Sequence, residues 1–143
     1  MTDETSDKSY TLDAQVGFLL RLASQRHSVI FQNMMSHGLT PTQFSTLIRV
    51  AENEKVSQNQ LGRLAAMDIA TIKGVVDRLK AKGLLETKPD PEDKRRSTIC
   101  LTEAGRGLIN QLKADGHQIT KATLAPLSAT EQRTLLALLK KIS

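Results

Sequence analysis

Apolar residues recur at helical spacing from Leu12 to about His37, where Val16, Leu19, Leu20, Ala23, Ile30 and Met34 mark one face. Phe18, Leu22 and Phe31 widen that stripe beyond what one partner helix covers. The pattern predicts a long helix stopped by Gly38, either well buried in its own domain or shared with a second subunit. Thr40-Pro-Thr-Gln43 opens the next helix: Thr40 caps it, Pro41 takes the first position and Gln43 completes a capping box. Phe44, Leu47, Ile48 and Ala51 then face inward. Ser57 with Gln60 is a second such box, opening a short helix that carries Leu61, Leu64 and Ala65 and ends near Ala66-Met67. Asp68 can cap another helix, whose apolar residues Ile69, Ile72, Val75, Val76 and Leu79 are expected to face a core. The turn between the two is only about three or four residues, as a helix-turn-helix requires.

Past Lys80-Ala-Lys82-Gly83, which combines last-turn cations with a glycine stop, the period changes. Leu84–Lys88 and Ser97–Leu101 alternate apolar and polar positions and read as two strands. Between them lies the charged, proline-stiffened loop Pro89–Arg96, and Lys55-Val56 adds a short strand to the same sheet. A helix follows from Thr102 to about Leu124, carrying Leu108, Ile109, Leu112 and Ile119. Its Gly105, Gly107 and Gly116 each weaken local propensity by up to about 1 kcal/mol, so packing must hold it. Ser128 and Glu131 form a third capping box ahead of a last helix through Leu135–Leu139 to Ile142. The expected fold is mainly α (α+β): a winged helix-turn-helix with N- and C-terminal dimerisation helices. Residues 1–10 are expected to be a disordered tail, 39–105 a DNA-binding lobe, and 11–38 with 106–143 a helical dimerisation lobe.

Charge adds placement rather than bulk. The net charge is +5, but basic and acidic side chains nearly balance over residues 40–105. The cations that matter are local. Lys94, Arg95 and Arg96 stand together at the tip of the wing loop, and Lys73 lies on the exposed face of the helix after Asp68. That face is otherwise Ala70, Thr71 and Gly74. A helix meant only for solvent would fill it with Glu, Lys and Gln. Short side chains with a hydroxyl or methyl suit close approach to base edges in a major groove. Ser57, Gln58 and Asn59 at a helix N-terminus suit phosphate contacts, although Ser57 also caps. Arg78 has two readings, a phosphate contact or a pair with Asp77 or Glu86. Gly74 likewise has two, close approach to a ligand or a helix-packing contact.

Other classes find little support. An aromatic content of 3% with no Trp argues against stacking on single-stranded bases. There is no Gly-rich phosphate loop, no paired metal-binding histidines and no nucleophile beside a base, so an enzyme and a metal or cofactor site are not expected. His27, His37 and His117 are scattered. The lone Cys100 excludes an intrachain disulfide framework, and its place in a strand favours a buried structural thiol over a redox sensor. No apolar run approaches the ~20 residues of a membrane span, and no signal-peptide core is visible. The expectation is a soluble, cytoplasmic chain without a membrane partner. Both ends carry amphipathic helices too apolar to leave wet. Pairing them across a two-fold axis would present two recognition helices to half-sites about one helical turn apart, on a pseudo-palindromic double-stranded operator. The competing reading is an intrachain bundle.

Several segments together resemble the multiple-antibiotic-resistance regulator (MarR) family of bacterial transcription factors. They are Leu39-Thr-Pro-Thr-Gln-Phe44, Gln60-Leu-Gly-Arg-Leu64, Val76-Asp-Arg-Leu79, Lys82-Gly-Leu-Leu85, Asp90-Pro-Glu-Asp-Lys-Arg95 and Leu101-Thr-Glu-Ala-Gly105. The similarity extends over essentially the whole chain after residue 10. It implies a bacterial, nucleoid-associated homodimer, most often a repressor whose DNA affinity falls when a small phenolic or aromatic carboxylate binds. It also implies that Arg95 is the wing arginine that enters the minor groove and that Asp93 orients it. In the family the effector pocket lies between the dimer helices and the DNA-binding lobe. Arg21, Arg26 and His27 on the first helix are the candidates to hold a carboxylate there. Each also has a structural reading: His27 as a satisfied core or interface residue, the arginines as solvated or paired across a dimer. The remaining alternatives are a winged-helix assembly module without effector and a redox-sensing regulator acting through Cys100.

Overall fold

The structure, a computed structural model, describes residues 9–143, so the expected tail lies outside the described residues except for its last two positions. Among the described residues there are six α-helices and one two-stranded sheet. A 3-10 turn at Leu12–Ala14 precedes α1 (Val16–Met34), and a second at Ser36–Gly38 leads to α2 (Pro41–Asn53). Then come α3 (Gln58–Leu64), α4 (Ile69–Ala81), β1 (Leu85–Pro89), β2 (Ser97–Leu101), α5 (Glu103–Leu124) and α6 (Ala129–Ile142). The chain divides into two compact units, one of residues 35–118, the other of the described residues up to 34 together with those from 119 onward.

The first helix ends before the expected Gly38. Met35 is extended, and His37 and Gly38 both adopt positive φ, 61° and 63°. The cause is tertiary. The Ser36 amide and hydroxyl both donate to Asp115 Oδ2, at 3.2 and 2.6 Å, which replaces the helical bond the amide would otherwise make.

In the 35–118 unit, Leu47 and Val50 of α2, Leu61 of α3, Ile72, Val76 and Leu79 of α4, Ile99 of β2 and Leu112 of α5 are essentially fully buried. Each such side chain contributes about 1.5–3 kcal/mol through removal from water. The strands pair antiparallel from Leu85 with Leu101 to Pro89 with Ser97. Val56 exchanges both backbone hydrogen bonds with Ile99, so the expected third strand is a single bridge.

Helix ends follow the sequence closely. Thr40 and Ser128 form reciprocal capping boxes with Gln43 and Glu131. Ser57 accepts the Gln60 amide, which is one half of its predicted box. Asp68 accepts the Thr71 amide at 2.7 Å. Between α3 and α4 the chain reverses through Ala66 at φ 57°, with Ala66 N–H bound to Arg63 O and Met67 N–H to Gly62 O. This is a Schellman closure built on alanine rather than glycine, a strained choice for the left-handed region. Gly62 makes the turn possible: a Cβ there would stand 3.1 Å from the Met67 carbonyl and 3.2 Å from an Ile72 methyl.

In the 35–118 unit Ile69, expected to face the core, is 72% exposed instead. It shares the angular face of Val76 but sits in the first turn, beyond the end of the packed stripe.

In the other unit, Phe31 of α1 and Ile119 and Leu124 of α5 are buried. The rest of the predicted α1 stripe is not buried within the chain: Val16, Leu19, Leu20, Leu22 and Met34 are exposed, as are Leu136, Leu138 and Ile142 toward the C-terminus.

Candidate nucleic-acid interface

The exposed surface of α4 begins at Asp68. Hydrogen bonds from the Thr71 amide and hydroxyl hold its carboxyl below the ordinary carboxylate range. Ala70, Thr71 and Lys73 are exposed, and Gly74 is half-buried. Lys73 Nζ lies 2.9 Å from Asp77 Oδ2, with both side chains more than half exposed. Such a pair is worth only about 0.3–0.5 kcal/mol, so the ammonium can exchange Asp77 for a phosphate at little cost. Around Gly74, the nearest atom a Cβ would meet is Arg78 Nη1 at 3.5 Å, and no other element comes within 4 Å. Helix packing therefore does not explain this glycine. Arg78 makes no ion pair with either acid considered for it: Asp77 holds Lys73 and Glu86 holds Lys88.

The wing is organised by Asp93. Its Oδ1 accepts the Arg95 amide at 3.0 Å and lies 3.4 Å from Arg95 Nε, while its Oδ2 lies 3.8 Å from Arg96 Nε. The Arg96 amide donates to the Asp93 carbonyl, and the Asp90 amide to the Arg96 carbonyl, both at 2.9 Å. One carboxylate thus folds the loop and biases two guanidinium groups, yet the Arg95 side chain stays 92% exposed. Lys94 and Arg96 are also exposed.

A depression of about 450 Å³ is lined by Ser57, Gln58, Asn59, Arg63, Arg96 and Ser97. A second, of about 630 Å³, is lined by Asn59, Arg63, Met67, Asp68, Ile69 and Ala70. Asn59 and Arg63 belong to both, so a continuous track runs from the wing base past α3 to the first turn of α4. Sequence reasoning missed Arg63. Its signal was its spacing: four residues after Asn59, it shares that residue's helix face.

The base of α4 is fixed to α5. Gly83, at φ 74°, closes the helix with its N–H on Lys80 O and Leu84 N–H on Leu79 O. The Thr102 hydroxyl donates to Gly83 O and accepts the Gly105 amide. A Cβ at Gly105 would run into the Leu84 carbonyl oxygen.

The three candidate effector residues lie on α1 and are engaged locally. Arg26 Nη1 and Nη2 donate to the carbonyls of Thr123 and Ala122 at 2.6 and 3.1 Å, which completes the C-terminal end of α5. His27 Nδ1 lies 2.8 Å from Thr123 Oγ1, with Phe31 tilted beside the ring at 6.3 Å. Arg21 sits 5.6 Å over the Phe18 ring. None of the three lines the cleft of about 680 Å³ in the 35–118 unit, whose walls include Lys55, Lys88, Cys100, Arg106, Ile109 and Lys113. Cys100 is buried, its thiol 3.8 Å from the Glu86 carbonyl. Among the described residues no group of acids, His and Cys could hold a metal, and no helix is long and apolar enough to cross a membrane.

Comparison with known proteins gives a consistent set of relatives. A family model described as the MarR family matches residues 37–96. The transcriptional repressor NicR of Pseudomonas putida is 40% identical over 93% of this chain and 85% of its own length. A crystal structure of a probable transcriptional regulator from Pseudomonas aeruginosa superimposes with TM-score 0.90 at 48% identity, over 93% of this chain and all of that one. BpsR of Bordetella bronchiseptica, whose DNA binding is regulated by 6-hydroxynicotinic acid, gives 0.87 at 37% identity over 93% and 96% of the two chains.

Proposed function

The chain belongs to the MarR family of transcription regulators, and from that premise we propose that it is a homodimeric repressor that leaves its operator when a small aromatic carboxylate binds. The carrying observation is the exposed track through Ser57, Asn59, Arg63, Arg96 and the first turn of α4. It puts the helix proposed to read bases, a helix N-terminus and a wing cation on one continuous surface. In this reading Ala70, Thr71, Lys73 and Gly74 enter the major groove. Ser57, Gln58, Asn59 and Arg78 meet phosphates. Arg95, steered by Asp93 and flanked by Lys94 and Arg96, enters the minor groove.

Dimerisation is supported by the exposed apolar residues at the two ends of the chain, Val16, Leu19, Leu20, Leu136, Leu138 and Ile142 among them. An isologous pairing would remove them from water. The effector class is supported by the relative that responds to 6-hydroxynicotinic acid. Arg26 and His27 are the proposed carboxylate ligands, with Arg21 beside them. A carboxylate on Arg26 would compete with the Ala122 and Thr123 carbonyls, and so loosen the end of α5. Release follows if the effector prefers the protein whose two recognition helices no longer match both half-sites.

The test is binding to DNA upstream of the protein's own gene, with unrelated DNA as competitor and salt varied, followed by 6-hydroxynicotinate and substituted benzoates added to the complex. Competitor-resistant, salt-sensitive binding released by one compound is the expected result. Binding that no compound releases would remove the effector class and keep the regulator. An absence of preference for any fragment would favour a winged-helix module used for protein assembly.

A further inference from the structure

We propose that Ile69 reads thymine: the first turn of α4 recognises its half-site through C5-methyl contacts rather than through hydrogen bonds from charged or amide side chains. This rests on the reading that α4 enters a major groove. Ile69 is the most exposed large apolar side chain among the described residues, at 72%. It stands at the first position of the helix, beside exposed Ala70, on the same concave track as Asn59 and Arg63.

What surrounds it narrows the chemistry. The commonest specific base contacts come from Arg or Lys on guanine and from Asn or Gln on adenine. The first turn of α4, Ile69–Ile72, contains none of these residues. The Thr71 amide is on the Asp68 carboxylate at 2.7 Å, and its exposed side chain offers a methyl beside the hydroxyl. Lys73 lies one position past that turn, its exposed ammonium 2.9 Å from Asp77, and Gly74 has no side chain. The first turn of α4 therefore presents mainly aliphatic groups. In the major groove only thymine presents an aliphatic group in return, its C5 methyl. The one occupant that matches the exposed isoleucine is a thymine at a fixed position of each half-site.

Duplexes enriched by the wild-type protein from a random-sequence pool supply the probe. Each thymine is then replaced by deoxyuridine, which keeps every hydrogen-bonding group and loses only the methyl. Replacement at one thymine position, and not at the others, should raise Kd about fourfold per half-site, from the burial of a single methyl. Replacement in both half-sites should raise it about fifteenfold. The Ile69→Ala protein should bind thymine and uracil duplexes equally, with unchanged thermal stability since the side chain is exposed. Deoxyuridine substitution without effect at every position would overturn the proposal. So would a methyl dependence that survives intact in Ile69→Ala, since another residue would then be its reader. Failure of the pool to yield any preferred duplex would remove the premise of groove reading, and this assignment with it.

Discussion

The Thr102 hydroxyl donates to the Gly83 carbonyl at 2.6 Å, tying the start of α5 to the end of α4. Thr102 also bonds Leu84 O through its amide and receives the Gly105 amide on its side-chain oxygen. Leu101-Thr-Glu-Ala-Gly105 is therefore a clasp, with a threonine for the bonds and a glycine for the close approach. Replacing Gly105 by Ala should cost about 1–3 kcal/mol, because the new methyl meets backbone that cannot swing away. Thr102→Val, which keeps shape and loses the hydroxyl, should cost about 1 kcal/mol. Urea unfolding checks both, and a neutral Gly105→Ala would contradict the clasp.

For the wing, Arg95→Ala is expected to weaken specific DNA binding by about 1–3 kcal/mol while gel filtration still reports an intact dimer. Asp93→Ala should weaken it less, since the loop loses its anchor but the cation remains. Lys94→Ala should leave sequence preference unchanged and lower the slope of log Kd against log salt by about 1. Equal effects from all three variants would mean that the wing acts as a charged tip without a positioned arginine.

Arg26 makes two predictions at once. Loss of its bonds to the Ala122 and Thr123 carbonyls should cost Arg26→Ala about 1 kcal/mol of stability. As a carboxylate ligand it should also matter for effector response, as should His27. DNA release measured against 6-hydroxynicotinate concentration separates the roles. Arg26→Ala and His27→Ala proteins that bind DNA normally and release it at wild-type effector levels would leave Arg26 and His27 as structural residues only.

The pH dependence has a definite sign. Asp68, Asp115 and Glu131 all have lowered pKa values, Asp115 chiefly through the Ser36 hydroxyl bond and Glu131 through Ser128. Their ordinary values are 3.8, 3.8 and 4.5. A carboxyl whose folded pKa lies below its unfolded one binds fewer protons in the folded state. Its contribution is complete above the unfolded value and is lost as pH falls through the folded one. The urea midpoint should therefore hold through neutral pH and decline below about pH 4.5. Asp115→Asn should flatten part of that decline, and an unaltered profile would show that the Ser36 bond does not persist in solution.

Periodicity and capping chemistry were sufficient for the elements themselves. The boxes at Thr40 and Ser128, the cap at Asp68, the glycine stop at Gly83 and the two wing strands are local devices, each readable within a few residues. The family pattern in the wing and in Leu101–Gly105 was equally local. The end of α1 was not readable, because it depends on Asp115, which lies 79 positions beyond Ser36.

Burial was the other thing the sequence left open. Periodicity gave Ile69 the same weight as Val76, and Val16 the same weight as Phe31, since all four stand at helical spacing in apolar stripes. Whether a stripe is covered depends on where the partner element ends, which is a property of three-dimensional packing. The same holds for side chains with more than one possible partner. Arg26 could have faced solvent, a carboxylate or a helix end, and only the arrival of the Ala122 and Thr123 carbonyls beside it settled which contact it makes within the chain. Arg63 became part of a surface only when the loop carrying Arg96 was folded beside α3. The sequence by itself determined helices, caps, strands and family, because those are encoded in neighbours along the chain. The tertiary structure decided which apolar groups stay exposed and which cations share a surface, because both depend on contacts between distant segments.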